Sequence, residues 1–339
     1  MKTSPPPSRK EQRLNQIQAQ TVRQGDLLAP EPEPVKAPAR KPKPTTERAA
    51  TSLRKKPRGD EQGDFFAPTL YDVGARDNRG VMDVAIFRLS KRDKRANDVI
   101  RYELPDGFVE VSSGHYGMAS VWDYDIVLMA ISHLTDAMNR YRDGKGEKPV
   151  QVFRPHIVDV LKFCRKDNGG AQKDAVVGAL QRLSTTQVVI ERTKAVKGKP
   201  VTITEGESLI SSFKVISSGD SKKVEYVEIK IADWMFQEVT QGTKPDVLTV
   251  HPDYFLIDPA LGRFLYRLAR KAAGKDSATW GFETLYLRSG SEGTQKEFNR
   301  MLRKIIQTND LPEYHLVEEE GQMGPMLVMI HRSALNKLT

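Results

Sequence analysis

The stretch Gly293-Thr294-Gln295-Lys296-Glu297-Phe298-Asn299-Arg300-Met301-Leu302-Arg303-Lys304-Ile305-Ile306-Gln307 decides how the chain is read. Thr294 with Glu297 three residues on matches a capping box, in which a hydroxyl accepts a backbone N–H of the first helical turn. With 100° per residue and Lys296 at zero, Arg300 falls at about 40°, Arg303 at about 340° and Lys304 at about 80°. Phe298, Met301, Leu302, Ile305 and Ile306 fall between about 140° and 280°. The helix therefore has a basic stripe and a core face, with Gln295 and Asn299 on the shoulder. Arginine and lysine suit phosphates and guanine edges, asparagine and glutamine suit adenine, and such a helix fits the major groove. A solvated basic face with no ligand is the competing reading. The neighbouring elements decide between the two.

Upstream, Asp258-Pro259 opens a helix to about Ala273, and Trp280–Arg288 reads as a second helix before the turn Ser289–Gly293. Downstream, Tyr314–Glu319 and Met326–His331 form a hairpin around Gly321–Gly324. Three helices and a hairpin are the order of a winged helix-turn-helix. The same order precedes it. Asp123 caps a long helix ending near Tyr141, followed by a strand Val150–Phe153, a helix Pro155–Arg165 and a helix Ala171–Leu183. Strands follow at Gln187–Arg192, Ser208–Ile216 and Lys222–Ile231, then a short helix Asp233–Thr240. Gly170-Ala171-Gln172-Lys173-Asp174 and Gly293-Thr294-Gln295-Lys296-Glu297 lie 123 residues apart, and at that offset Phe163 meets Tyr286 and Arg165 meets Arg288. This supports a duplication.

The two units read as unequal. On the helix from Ala171 only Lys173 and Arg182 are basic, while Lys194, Lys197 and Lys199 crowd one loop suited to phosphate contacts. The second unit is expected to read sequence and the first to assist or to form a homodimer. Before them, Ala85–Leu89, Val99–Glu103 and Phe108–Val111 read as short strands, with Lys91–Arg95 as an exposed loop. The expected fold is α+β: two tandem winged helix-turn-helix domains at residues 63–241 and 245–339, behind a basic tail at 1–62.

The tail is read from composition. The chain has 339 residues, 53 Lys and Arg against 44 Asp and Glu, and a net charge of +9. Residues 1–62 hold 14 of the bases, 7 of the acids, 10 of the 20 prolines and no aromatic residue. Such a segment buries too little apolar surface to offset its chain entropy and is expected to be disordered, with an affinity for polyanions. Mean hydropathy is -0.52 and no apolar stretch approaches the ~20 residues of a spanning helix. The first residues, Met1 to Gln16, lack the apolar core of a signal peptide. With a single cysteine, Cys164, no internal disulfide can form, and a reducing cytoplasm is the expected compartment.

Enzymatic chemistry finds no support in the residues. There is no GxxxxGK[ST] phosphate loop, and the six histidines are scattered. Asp123-Tyr124-Asp125 is a carboxylate pair that invites a two-metal reading, but aspartates at a helix start more often cap orphan N–H groups. No metal or cofactor is expected. A rolling-circle nickase would want clustered histidines beside a nucleophilic tyrosine, and Tyr71, Tyr102 and Trp122 read as core residues.

Asp64-Phe65-Phe66, Phe87-Arg88-Leu89-Ser90-Lys91, Arg101-Tyr102-Glu103, Val109-Glu110-Val111 and Gly117-Met118-Ala119-Ser120-Val121-Trp122-Asp123-Tyr124-Asp125-Ile126 resemble the plasmid replication initiator protein A family. The resemblance spans roughly residues 64 to 331 and is most specific around Trp122-Asp123. It implies a non-enzymatic protein that binds repeated double-stranded DNA sites at a plasmid origin, promotes opening and recruits host replication proteins such as the host initiator and replicative helicase. It assigns no DNA-reading residues; those rest on the helical wheel. A winged-helix transcriptional repressor is the alternative on the same fold.

Overall fold

The chain repeats one order of elements, helix, strand, helix, helix, hairpin. The computed structural model describes residues 51–57, 65–68, 84–104, 106–196, 199–219, 223–241 and 247–335. The first run comprises α1 (Tyr124–Arg142), β4 (Val152–Phe153), α2 (Ile157–Phe163), α3 (Gly170–Thr185) and the hairpin β7 (Ile210–Ser217)–β8 (Val224–Ile231). The second comprises α5 (Ala260–Ala272), β10 (Ser277–Gly281), α6 (Phe282–Ser289), α7 (Gln295–Thr308) and β11 (Tyr314–Gly321)–β12 (Gly324–His331). Their antiparallel sheets have matching orders, β4-β8-β7 and β10-β12-β11. The first run carries an insertion. Hairpin β5 (Thr186–Val196)–β6 (Lys199–Ser208) joins β2 (Val99–Leu104) and β3 (Gly107–Ser113) in a separate sheet, β2-β3-β5-β6. Helix α4 (Asp233–Thr240), a ribbon of β1 (Phe65–Pro68) on β9 (Val247–Val250) and a 3-10 turn (Pro252–Leu256) link the runs, and α8 (Arg332–Leu335) ends the described chain.

Several sequence expectations need correction. Ala85–Leu89 is not a strand; only Arg88 makes a lone parallel bridge to Ser120. Trp280 lies in β10, and the helix behind it starts at Phe282 with Gly281 at the N-cap. The helix after Asp258-Pro259 starts at Ala260, with Pro259 at the N-cap. Lys194 and Lys199, expected in one loop, lie in strands β5 and β6, which pair as an inserted hairpin, and Lys197 lies outside the described residues. The hairpin in the position of β11–β12 is β7–β8.

The first half of helix α1, Tyr124 to Ser132, is buried on every side, whereas His133, Asp136, Arg140 and Tyr141 farther along are exposed. Its two aliphatic hydroxyls bond back within the helix: Ser132 donates to the Leu128 carbonyl and Thr135 to that of Ile131, both at 2.8 Å. One contiguous core runs from Ala85 through α1 to Met329, so the two runs share a hydrophobic interior. A buried ion pair crosses between them. Arg263 of α5 donates from Nη1 to both oxygens of Asp125 of α1, at 2.7 and 2.8 Å, and neither side chain is exposed. Its remaining nitrogens donate to the carbonyls of Ile257 (2.8 Å) and Phe255 (2.7 Å). Burial drives the Asp125 carboxyl above its ordinary value, and the guanidinium works against that. Buried Arg165, after α2, likewise donates to Asp253 at 2.7 Å.

The described residues all belong to one compact unit, and residues 1–50 of the expected tail lie outside the described residues. The segment Thr51–Pro57, read from composition as part of the tail, is held on the body. The Ser52 N–H (2.6 Å) and the Thr51 hydroxyl (2.7 Å) donate to Asp310, just past α7, and Ser52 Oγ lies 3.0 Å from Thr308 Oγ1. Leu53 bridges Ile257, and Arg54 donates to the Phe255 carbonyl at 2.7 Å. Burial pushes the Asp310 carboxyl up, but the donors from Thr51 and Ser52 hold it below its usual value. Removing residues 1–57 is therefore expected to destabilise the protein by about 1–3 kcal/mol relative to removing 1–50, because a half-buried carboxylate loses its donors. Urea unfolding of the two truncations checks this; equal midpoints would show that the anchor contributes nothing.

Candidate nucleic-acid interface

Helix α7 is built as its sequence suggests. The Thr294 hydroxyl accepts the Glu297 N–H at 3.3 Å, half of the expected capping box, since Glu297 turns its carboxylate to Arg300. Phe298, Leu302 and Ile305 are buried, and Asn309 ends the helix in the left-handed region (φ 45°). The Asn309 amide ties the helix end to β11, donating to the Leu316 carbonyl (3.0 Å) and accepting the Leu316 N–H (2.9 Å). In front of the helix, Gly290 takes φ 61° and has no room for a side chain: a Cβ there would lie 2.5 Å from the Tyr102 hydroxyl. The turn before α7 thus rests directly on β2.

The expected basic face is brought together. Lys296, Arg300, Arg303, Lys304 and Gln307 line a depression of about 740 Å³ with Thr294 and Glu297. Gln295 is exposed at the helix start, whereas Asn299 is half-buried. Met301, expected in the core, is 37% exposed.

Two of the four cations are already paired. Arg300 donates to Glu297 through Nε (2.8 Å) and Nη2 (2.6 Å), which holds the Glu297 carboxyl below its usual range. Arg303 makes a fork onto Glu318 of β11, with Nη2 at 2.7 Å and Nε at 3.0 and 3.1 Å. Both arginines remain well exposed, so these carboxylates orient the guanidinium groups without removing them from reach. Lys296 and Lys304 carry no ion pair among the described residues. The hairpin beside α7 is acidic, with Glu318, Glu319 and Glu320 in succession. Sequence reasoning missed this pairing, although the run of glutamates was its visible signal.

The first run offers less. Arg182, expected to touch DNA, forks onto Asp123, with both bonds at 2.8 Å. That contact and burial also correct the reading of Asp123, whose carboxylate makes no cap bond to α1 but accepts from Arg182 and from the Ser120 N–H. Burial pushes the Asp123 carboxyl up, and these donors bring it below its ordinary value. Lys173 is half-buried on α3, and Lys199 is exposed at the start of β6. Lys194 lies in β5, and Lys197 falls outside the described residues, as does Tyr71.

With Asp123 and Asp125 each occupied by an arginine, the carboxylate pair is structural. Among the described residues no group of three His, Cys, Asp or Glu is placed to hold a metal ion. The buried Cys164 thiol is pushed up to about 12 by desolvation, which makes it a poor nucleophile. No described helix is long and apolar enough to cross a membrane.

Comparison with known proteins agrees with this architecture. In crystals of selenomethionine derivatives of domain 2 and domain 3 of RctB, a similar fold covers 74% of this chain and 96% of that one, at a TM-score of 0.50 and 13% identity. A protein of Wigglesworthia glossinidia brevipalpis named "Putative replication protein" is 26% identical over 254 residues, 74% of this chain and 88% of the relative. The profile of replication initiator protein A matches residues 76–316, from before β2 into β11. On that match the chain belongs to the replication initiator protein A family.

Proposed function

We propose that the protein is a plasmid replication initiator that binds repeated double-stranded sites at its origin through two winged helix-turn-helix units, residues 63–241 and 245–339. The observation that carries this reading is α7: a capped helix with a buried apolar face and an outward basic face, third in a helix-turn-helix order that ends in a hairpin. Lys296, Arg300, Arg303 and Lys304, with Gln295 at the helix start, enter the major groove. Lys199 and its neighbours Lys194 and Lys197 give the first unit backbone contacts. That unit also carries any self-association. Binding opens the duplex and brings in host replication proteins, in the cytoplasm and without catalytic chemistry of the chain's own.

The test is footprinting on DNA flanking the gene, combined with permanganate reactivity to detect unpaired thymines. Protection of iterated sites with reactive thymines nearby is the expected result. A single protected palindrome without unpairing would point to a repressor, and a covalent tyrosyl–DNA adduct to a nickase.

A further inference from the structure

Four of the five residues in Lys91-Arg92-Asp93-Lys94-Arg95 are basic, and the interface described above uses none of them. We infer that this loop ahead of β2 is a second DNA-backbone contact, placed so that Arg92 and Lys94 grip phosphates beside the groove that α7 enters. The inference rests on the proposed DNA-binding role of α7 and extends it to a different part of the chain.

The loop is a fixed structure. The Ser90 hydroxyl accepts the Asp93 N–H at 3.1 Å, and the Asp93 carboxylate accepts the Arg95 N–H at 2.9 Å. The Met118 N–H donates to the Lys94 carbonyl at 2.8 Å. Gly117 lies so close that a Cβ there would sit 2.5 Å from that carbonyl oxygen.

It is also docked on the second run. Arg95 Nη1 donates to the Gly290 carbonyl at 2.8 Å, and its Nε lies 2.9 Å from Glu292. Both partners belong to the turn that leads into α7. Lys91 pairs with Asp258 at 3.0 Å, just ahead of α5. Arg95 and Lys91 are thus consumed in holding the loop. Arg92 and Lys94 are exposed and carry no ion pair among the described residues, a property they share with Lys296 and Lys304 of α7.

Between the loop and the helix runs a cleft of about 800 Å³, with Ser90 and Arg95 on one side and Arg300, Met301 and Lys304 on the other. A duplex whose major groove holds α7 sends one bordering strand along this cleft. Its phosphates then meet Arg300 and Lys304 on the helix side and, past the cleft lining, Arg92 and Lys94 of the loop that borders it. Contacts of this kind carry no sequence information but fix register and add counterion release.

The experiment compares the full chain with its R92A/K94A and K296A/K304A variants, all four residues being exposed. Each is titrated across a salt series against a short duplex carrying a site selected from a random library, and against a scrambled duplex of equal length. For R92A/K94A, the slope of log affinity against log salt should shallow by about 1.8, at about 0.9 per phosphate contact, equally on both duplexes. Hydroxyl-radical protection should disappear from one flank of the site and persist at its centre. An unchanged slope and footprint in R92A/K94A, with K296A/K304A impaired, would overturn the loop contact and leave the role of α7 standing. If neither variant differs from the parent, or the parent binds no duplex, the DNA-binding reading of α7 falls, and the loop contact with it.

Discussion

Asp125→Ala is expected to destabilise the protein by about 3–5 kcal/mol, the cost typical of removing one partner from a buried ion pair. The guanidinium of Arg263 has no route to water, since both side chains are fully buried. It would keep its bonds to the Ile257 and Phe255 carbonyls but lose its counter-charge. In thermal unfolding the loss corresponds to a drop in Tm on the order of 10 °C. Replacing both residues, Asp125→Leu with Arg263→Met, should recover only part of this. The charges vanish together, but the two carbonyls served by Arg263 lose their donors, at about 1–3 kcal/mol for each buried group. Urea titration of the single and double variants separates these contributions. A single variant within 1 kcal/mol of the parent would mean that the pair does not bind the two runs together. The pair also bears on dissection of the protein, because a cut near residue 241 puts Asp125 and Arg263 on different fragments.

The second large effect is on DNA. Arg303 begins in a fork on Glu318, and to reach a guanine it must let go. The two energies decide the outcome: an exposed ion pair contributes about 0–1 kcal/mol, whereas a bidentate arginine–guanine contact discriminates by about 1–3 kcal/mol. On the proposed role of α7, exchange should therefore favour the base. Glu318 holds the guanidinium extended in the free protein, which limits the side-chain freedom lost on binding. Arg300, forked on Glu297, follows the same logic. Each arginine replaced by alanine should cost about 1–3 kcal/mol at the specific site and less on scrambled sequence.

How far the sequence could be read depended on the range of the interactions. The ends of α7 were legible because Thr294, the apolar positions Phe298, Leu302 and Ile305, and the chain reversal beyond them are local signals. Strands β2, β3, β11 and β12 alternate or sit beside clear turns, and were expected close to where they lie. Strand β6 was not, although Val201-Thr202-Ile203-Thr204 is β-branched and alternates, because that run is short, exposed and bounded by Pro200 and Gly206. Strand β10 runs straight into α6 at Gly281, and the aromatic residues Trp280 and Phe282 blend the two into one apparent helix. The ion pairs were out of reach for a different reason. Asp125 and Arg263 are 138 positions apart, and Arg303 and Glu318 are 15 apart on different elements. Periodicity marks which residues face outward, but not which carboxylate waits for them. The same limit hid the anchoring of Ser52 on Asp310, since composition averages over a segment and cannot single out its last few residues.

The most direct measurement is a binding titration of R300A/R303A against the selected site and its scrambled counterpart, with Ile305→Asp as a folding control. Ile305 is 4% exposed, and a charge there should unfold the second run. The double arginine variant should instead remain folded, since both side chains project from the surface. Its affinity for the selected site should fall to near that for scrambled DNA. If the folded variant kept its full preference for the site, α7 would not be the reading helix.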